Sequence, residues 1–403
     1  MRPTVRVTPR FFLPLFGLLI LVGCSTEESP SLFDPSTTYP PDPTISSVSP
    51  PGSAYAGMDT LVLTGTNYSS VLANNFVYFN GKAAALLTAT TTQITLVPPL
   101  VVGDSIEVKV SVSGALLFSN IVQYELKAGV TAFGQFTDTE HSTSLATDAT
   151  GNLYAGFTSS GVEGGILMFT PAGVRSTYGL PTGGVTLWTG LKMGPSGYLF
   201  AARTFRALYA YPPGGGTSAA LWSAFPIGTS LGDFDFDQNG NLWSGGAGAS
   251  FYRVKQDKTI KTFPFSGTVH SVRVYGSNVY FAAYTTAGGE QIWSAPLIGD
   301  SLGTPAVYFD FGAVYPNSTP QAITFSSDGV LYIGTDTPEA IVVVQPNKTY
   351  LAPFQAYGDL IGTAVRFLAW GASDDLYAST MEGVVLKFDM RGKTGAPYHG
   401  TTL

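Results

Sequence analysis

Short runs of alternating apolar and polar residues follow one another along most of the chain after residue 43. This two-residue period places apolar side chains on one face of an extended strand, so it predicts β-strands. The spacing of the first runs, which are separated by turn signals such as Pro-Pro-Gly and Asn-Gly, predicts a sandwich of two β-sheets over residues 43–126. The six runs are Ile45–Val48, Leu61–Leu63, Phe76–Phe79, Ile94–Val97, Ile106–Val112 and Ile121–Leu126.

The rest of the chain contains a sixfold repeat. Each copy has an apolar strand, a turn with Gly, Asn or Asp, and a second strand that begins with an aliphatic and an aromatic residue. That period accommodates four strands per copy, which predicts six β-sheets arranged as the blades of a propeller. The aromatic anchors of the copies lie 37 to 52 residues apart and are Tyr154, Phe200, Trp243, Tyr280, Tyr332 and Tyr377.

The sixth copy has no fourth strand, since the chain after Phe388 has only a tail that contains Gly, Pro and His. A run that resembles the fourth strands precedes the first copy, at residues 130–136. We expect this run to complete the last blade, because closing the ring removes exposed sheet edges. The expected fold is therefore all-β, with a sandwich at 43–126 and a six-bladed β-propeller at 129–403 closed by the strand at 130–136.

Two resemblances make these expectations more specific. The segments Pro43–Pro50, Leu61–Tyr68 and Val77–Gly81, with Gly57 between them, resemble the immunoglobulin-like IPT/TIG domain, and Asn80-Gly81 suits a tight hairpin turn. The copies after Gly129 are similar to NHL or regucalcin-like propellers. The IPT/TIG resemblance implies a spacer or an interaction module, without catalysis.

The amino-terminal segment has the pattern of an export signal. Three arginines in residues 1–10 precede an apolar run at residues 11–23, which is too short for a spanning helix and suits a signal-peptide core. Leu21–Gly23 followed by Cys24, the single cysteine of the chain, resembles the bacterial lipobox. The resemblance implies cleavage before Cys24, acylation of that residue and a stable membrane anchor. The alternative is a plain secretory signal with a free cysteine.

Residues 24–42 are rich in Pro, Ser and Thr and predict a flexible tether. Glu27-Glu28 in this tether is similar to the acidic signal that directs lipoproteins of the Bacteroidota to the cell surface, or it belongs only to a solvated linker. We expect an outer-membrane lipoprotein that faces the cell surface, with a periplasmic orientation as the alternative.

The balance of charge argues against a nucleic-acid partner. The chain has a formal net charge of −7, and removal of the arginines in residues 1–23 leaves about −10. A phosphate backbone is repelled by such a protein, and no basic patch stands out in the sequence.

One acidic stretch has the spacing of a calcium loop. Asp235, Asp237 and Asn239, followed by Gly240, offer oxygen ligands at alternate positions. The later carboxylate of such loops is missing, because apolar residues continue the strand where it would stand. A turn that favours Asp, Asn and Gly for its backbone conformation is therefore the preferred interpretation. Calcium is the alternative, and no other cofactor is expected.

Candidate catalytic groups are few. The histidines are His141, His270 and His399, and no catalytic cysteine accompanies them. His141 and His270 each precede a predicted first strand and could face the central channel at one mouth. Regucalcin-like enzymes hold a metal in that channel with inward side chains from several blades. Here Asp233 and Asp235 stand in one copy, without equivalents in copies two, four and five.

Two functions compete on this basis. In the first, the tether and the sandwich lift the propeller from the membrane, and a propeller face binds a polysaccharide or a protein without catalysis. In the second, the channel houses a metal-dependent lyase or hydrolase. Six aromatic residues are candidates for stacking on sugars, but most fall in predicted strands, where we expect them to fill the packing between blades. They are Trp188, Tyr209, Tyr211, Trp222, Trp293 and Trp370.

Overall fold

A computed structural model describes residues 38–183 and 187–402. In this part of the chain strands predominate, and the two α-helices, Phe311–Val314 and Gly358–Ile361, have four residues each. No helix among the described residues has the length and apolar character needed to cross a bilayer. The signal segment, Cys24 and most of the tether lie outside the described residues. Single 3-10 turns occur at Leu72–Asn74, Pro195–Gly197, Gln355–Tyr357 and His399–Thr402.

The first module is a sandwich of two sheets. Its strands are β1 (Thr44–Ser49), β2 (Ser53–Tyr55), β3 (Leu61–Thr66), β4 (Asn75–Phe79), β5 (Lys82–Ala83), β6 (Ala85–Ala89), β7 (Gln93–Val97), β8 (Gly103–Val112) and β9 (Val122–Lys127). One sheet has the order β1-β3-β7-β6 and the other has the order β2-β9-β8-β4-β5. Alternating apolar residues such as Leu61, Leu63, Val108 and Val110 are fully buried between them. Each of the six predicted runs coincides with one of these strands.

Six further sheets, here numbered I to VI, follow one another along the rest of the chain. A single strand, β10 (Val130–Ala132), precedes them. Sheets I to III contain β11 (Glu140–Thr147), β12 (Leu153–Ser159), β13 (Val162–Phe169), β14 (Arg175–Gly179), β15 (Trp188–Met193), β16 (Leu199–Arg203), β17 (Ala207–Tyr211), β18 (Ala220–Ala224), β19 (Ser230–Phe236), β20 (Leu242–Ala247), β21 (Ser250–Val254) and β22 (Ile260–Pro264).

Sheets IV to VI have the same design. They contain β23 (Thr268–Tyr275), β24 (Asn278–Thr285), β25 (Gly289–Ile298), β26 (Ser301–Leu302), β27 (Ala306–Phe309), β28 (Pro320–Phe325), β29 (Leu331–Thr335), β30 (Ile341–Val344), β31 (Tyr350–Leu351), β32 (Val365–Trp370), β33 (Asp375–Thr380) and β34 (Val385–Asp389). The first strands of consecutive sheets pack against one another, and β32 of the last sheet packs against β11 of the first. All six first strands contribute residues to one cavity, and the space between them is here called the channel.

The strand β10 joins the last sheet. Residues 130–132 pair antiparallel with residues 386–388 of β34, as expected for the missing fourth strand. The strand is shorter than the predicted 130–136. After Phe133 the chain turns at Gly134, whose φ of 76° is left-handed, and Phe133 and Phe136 then pack on the ring of Phe169 in the core of sheet I.

The sandwich packs directly against the second module. The Tyr357 hydroxyl donates to the Ala56 carbonyl and accepts from the Gly129 N–H, both over 2.8 Å. Beside it, the Tyr55 hydroxyl donates to the Asp389 carboxylate over 2.5 Å. Burial, together with the Asp389 carboxylate, raises the pKa of Tyr55, so its hydroxyl remains a donor at neutral pH. Buried hydrogen bonds therefore join the two modules, in addition to the linker at residues 127–129.

The carboxyl-terminal tail, residues 390–402, crosses one end of the channel. Ala396 bonds to the last residue of β28, and the N–H of Trp370 at the end of β32 donates to the Tyr398 hydroxyl over 3.1 Å. Gly400 lies so close to Met193, at the end of β15, that a Cβ would stand 2.1 Å from its carbonyl oxygen. The tail covers the end at which the first strands finish, here called the closed end; the other is the open end.

Candidate functional site

Every first strand carries a β-bulge at the same register, next to the open end of the channel. The pairing with the second strand skips one residue in each of the six sheets. A bulge turns the extra residue out of the ladder and re-aims its side chain. All six skipped residues line one cavity, and we call them the bulge ring: Thr143, Thr189, Gly232, His270, Gln321 and Arg366.

The cavity at the bulge ring has a volume of about 530 Å³. Its wall combines hydroxyl, amide, imidazole and guanidinium groups from the ring with two aromatic residues, Trp188 and Phe367. Concave sites that mix a few converging polar groups with apolar walls are typical of small-molecule binding. The bulge ring contains no carboxylate, so the set of inward acids expected of a metalloenzyme does not form there.

The bulge ring has two charged or titratable members in different situations. His270 Nε2 lies 3.1 Å from the Glu290 carboxylate, and both side chains are partly buried. Arg366 is exposed and, among the described residues, pairs with no carboxylate. The guanidinium of Arg366 is thus available to an anionic group at the mouth of the channel.

Asp233 lies in the channel wall below the bulge ring. Its carboxylate accepts hydrogen bonds from Ser271 Oγ and the Val272 N–H, both over 2.9 Å, and lies 3.7 Å from Lys192 Nζ. A space of about 20 Å³, enough for a single water molecule, adjoins these groups and His270. Asp233 therefore joins β19 to β23 and compensates the one lysine of the channel wall.

Asp235 lies deeper, towards the closed end. Its carboxylate is 2.5 Å from Arg273 Nη1 and accepts the Val274 N–H over 2.9 Å. Both side chains of the ion pair are only 2% exposed, and the guanidinium lies 3.8 Å above the ring of Tyr398 in the tail. The pair joins sheet III to sheet IV, and the Arg273 guanidinium also contacts the tail through the ring of Tyr398.

Asp237 belongs to the turn that follows β19. Its Oδ1 accepts the backbone N–H groups of Asn239 and Asn241, and its Oδ2 accepts the Asn241 amide and the Trp243 indole N–H. The carboxylate therefore organises the turn that joins β19 to β20, as an Asx-type turn does.

Asp148 occupies the equivalent turn of sheet I and makes the same set of bonds, with the Tyr154 hydroxyl in place of the indole. Burial raises the pKa of Asp148, but the hydrogen bonds from Thr150, Asn152 and Tyr154 outweigh it, and the net pKa lies below the usual value. The charged carboxylate is thus the form that holds this recurrent turn.

The three calcium candidates do not surround a common point. Asp235 is directed to Arg273, Asp237 lies within its own turn, and Asn239 is exposed. Among residues 38–183 and 187–402, no three His, Cys, Asp or Glu side chains are placed to hold a metal ion. The structure therefore places Asp237 and Asn239 in the turn after β19, and Asp235 in β19 against Arg273.

Calcium and EDTA are expected to leave the thermal unfolding midpoint of the native protein unchanged. Asp237→Ala should lower the free energy of unfolding by about 2–4 kcal/mol, because buried N–H donors lose their acceptor. Calorimetry measures both effects. Asp257→Ala, which removes an exposed carboxylate from another turn of sheet III, is the matched control. A midpoint that rises with Ca²⁺ in the native protein but not in Asp237→Ala would identify a calcium site instead.

The two other histidines lie away from the mouth. His141 is exposed, with Nδ1 2.6 Å from the Glu382 carbonyl, where sheet I meets sheet VI. The expectation that it could face the channel is wrong, because its position precedes the bulge at residue 143. His399 begins the 3-10 turn of the tail. Of the three, only His270 lines the channel.

The six aromatic candidates mostly fill space between sheets. Trp188, Tyr211 and Trp370 are buried, and the Arg203 guanidinium covers the Trp188 ring at 4.2 Å. Tyr209, Trp222 and Trp293 are partly buried. Trp188 also lines the cavity at the bulge ring.

Part of the chain matches a known domain family. Residues 43–126 match the IPT/TIG domain family, over the range expected from the sequence. No protein of curated function matches the chain in sequence. A protein of unknown function from Bacteroides thetaiotaomicron is 12% identical, with a TM-score of 0.50 over 89% of this chain and 99% of its own.

Two other solved structures are similar in fold. A candidate phosphatase from Bacteroides thetaiotaomicron is 13% identical, with a TM-score of 0.55 over 89% of this chain and 98% of its own. A gluconolactonase of Xanthomonas campestris is 15% identical, with a TM-score of 0.51 over 64% of this chain and 89% of its own. A domain that matches the IPT/TIG family model is thus followed by a second module that is similar in fold to a gluconolactonase. At such identities the likeness concerns the fold alone.

Proposed function

We propose that this protein is an outer-membrane lipoprotein that binds a ligand at the bulge ring of a six-bladed propeller closed by β10. The observation that carries the proposal is the ring itself. Six sheets place one bulged residue each at the same mouth, and five of these residues have polar side chains. Bulges are enriched beside functional sites because they re-aim side chains.

The chemistry of the bulge ring favours a hydroxyl-rich ligand that carries an anionic group, such as an acidic glycan. Thr143, Thr189 and Gln321 offer hydrogen bonds to hydroxyls, and Phe367 offers an apolar surface to a sugar face. Arg366 is a planar donor that suits a carboxylate or a sulfate. The remaining charges of the channel wall are already compensated, since Lys192 faces Asp233 and Arg273 faces Asp235.

The anchor is supported by the lipobox-like Leu21–Cys24 and by the arrangement of the described part. The sandwich stands between residue 38, where the tether leads in, and the propeller. Its strand β8 has ten residues, which span roughly 30 Å. A spacer of that length holds the bulge ring away from a membrane surface.

A metal-independent hydrolase or lyase is the second candidate, and the His270–Glu290 pair favours it. A carboxylate beside an imidazole can orient it for proton transfer, as in general acid–base catalysis. Among the described residues lining the cavity, however, no serine or threonine lies within hydrogen-bond distance of this histidine. Binding without turnover is therefore the primary proposal.

Titration calorimetry with oligosaccharides tests the proposal. Uronic-acid oligosaccharides are expected to bind, and Arg366→Gln should weaken them by roughly 10- to 100-fold, because a charge-assisted hydrogen-bond pair contributes about 1.5–3 kcal/mol. Neutral oligosaccharides should be unaffected by the substitution. Arg206→Gln, on an exposed residue outside the bulge ring, is the control. Equal affinity in both variants would refute recognition of an anion, and glycan cleavage lost in His270→Ala would establish the enzyme.

A further inference from the structure

One end of the sandwich exposes large apolar side chains on two short loops. The loops are residues 69–74 and 113–118, and we call them the apolar loop pair. Neither contains a charged residue. The exposed fractions of the large side chains are 56% for Val71, 37% for Leu72, 63% for Leu116, 65% for Leu117 and 49% for Phe118. Exposed apolar side chains concentrated at one end of a domain mark a surface that contacts something other than water.

The two loops form one surface. The Ser113 N–H donates to the Asn74 carbonyl over 2.8 Å, at the point where β4 begins and β8 ends. The Phe118 ring packs on Tyr78 and is covered on one side by Lys109 Nζ at 4.6 Å. The loops are therefore held side by side by strands of the same sheet.

The chain enters the sandwich at this same end. The Leu117 N–H donates to Asp42 Oδ1 over 2.9 Å, and a Cβ on Gly114 would stand 3.5 Å from Pro40. The propeller lies at the opposite end, where β9 finishes at Lys127 and Tyr357 contacts Ala56. The apolar loop pair thus points towards the segment that leads to Cys24.

We propose that the apolar loop pair inserts into the interface of the membrane to which Cys24 anchors the protein. The inference rests on the proposed anchor. Position 38 is 14 residues from Cys24, so even a fully extended chain keeps the sandwich within about 50 Å of the bilayer. Exposed Leu and Phe side chains on uncharged loops can enter the interface to a depth of roughly 5–10 Å, and Lys109 beside Phe118 suits anionic headgroups.

Insertion would orient the whole molecule. The sandwich and the propeller are joined by buried hydrogen bonds, so fixing the loop end on the bilayer fixes the direction in which the bulge ring faces. A lipid anchor alone permits rotation about the tether. The apolar loop pair adds the second contact that stable and oriented membrane binding requires.

A tryptophan placed in the loops reports their depth. The five tryptophans of the chain all lie beyond residue 187, so the sandwich contributes no tryptophan emission of its own. The full chain with Leu117→Trp, purified in its lipidated form, is reconstituted in phosphatidylethanolamine–phosphatidylglycerol vesicles with and without brominated acyl chains. We expect the added tryptophan to emit at shorter wavelength in vesicles and to lose at least half of its emission to bromine, as a side chain at the acyl boundary would.

Val102→Trp is the matched control. Val102 is a 54% exposed apolar residue at the propeller end of β8, and its tryptophan should show no bromine quenching. Equal quenching of the two positions would overturn the inference while the anchor stands. A blue shift at residue 117 without bromine quenching would also overturn it, in favour of contact with a second copy. If the native chain fails to float with the vesicles and Cys24→Ala behaves in the same way, the anchor itself is refuted.

Discussion

Replacing Thr131 by proline is expected to lower the free energy of unfolding by about 3 kcal/mol or more, because it removes the central hydrogen bond between β10 and β34. Residues 130–132 pair with residues 386–388 of β34, and Thr131 stands opposite Lys387. The bonds on either side run from the Phe133 N–H to Val385 and from the Asp389 N–H to Gly129. In an antiparallel ladder the Thr131 N–H therefore points to Lys387, where proline has no donor.

Thr131→Ala is the control for this substitution, since the Thr131 side chain is exposed and its loss leaves the backbone bond intact. Urea unfolding followed by tryptophan emission measures the stability, and hydrogen exchange at β34 measures the local opening. We expect the proline variant to lose protection along β34 first. Equal stability of the two variants would mean that β10 does not close the ring.

Asp235→Ala is expected to lower the free energy of unfolding by about 3–5 kcal/mol, because it leaves the Arg273 guanidinium buried without a counter-charge. Both partners are 2% exposed, and Arg273 Nε and Nη2 have no hydrogen-bond partner among the described residues. The carboxylate also accepts the Val274 N–H, which the substitution leaves without that acceptor. Calorimetric and chemical unfolding of the variant measure the loss.

The double variant Asp235→Leu with Arg273→Met separates the ion pair from packing. Replacing both partners by apolar residues of similar volume should recover most of the stability, since the desolvation of two charges is then avoided. A double variant as unstable as Asp235→Ala would show that the hydrogen bond to β23 and the contact with Tyr398 carry the effect.

The sheets could be predicted from the sequence because alternation and the sixfold repeat are properties of consecutive residues. The short edge strands β2, β5 and β6 were not identified, since two to five residues with few buried side chains leave little pattern. The end of β10 was also misjudged. Phe133 and Phe136 have the composition of a strand, but Gly134 turns the chain and sends both rings into the core of sheet I.

The bulge ring could not be predicted in the same way. A bulge is a change of register between two strands, and one sequence does not show which residue of a first strand lacks a partner. The signal that could have found the ring is the offset within each repeat, since Thr189, His270, Gln321 and Arg366 stand at equivalent positions. The turn at Asp237 could be predicted from its composition, but the place of Asp235 in the channel wall, two residues earlier, could not.

The tail covers one end of the channel, so the channel has one open mouth. Tyr398 and Gly400 contact the ends of β32 and β15 at the closed end, so a ligand that enters at the bulge ring is expected to leave by the same mouth. A long polymer therefore cannot pass through the channel. Such a polymer can be bound only by a chain end or by a branch that fits the mouth. The rate at which it dissociates then depends on its contacts with the bulge ring.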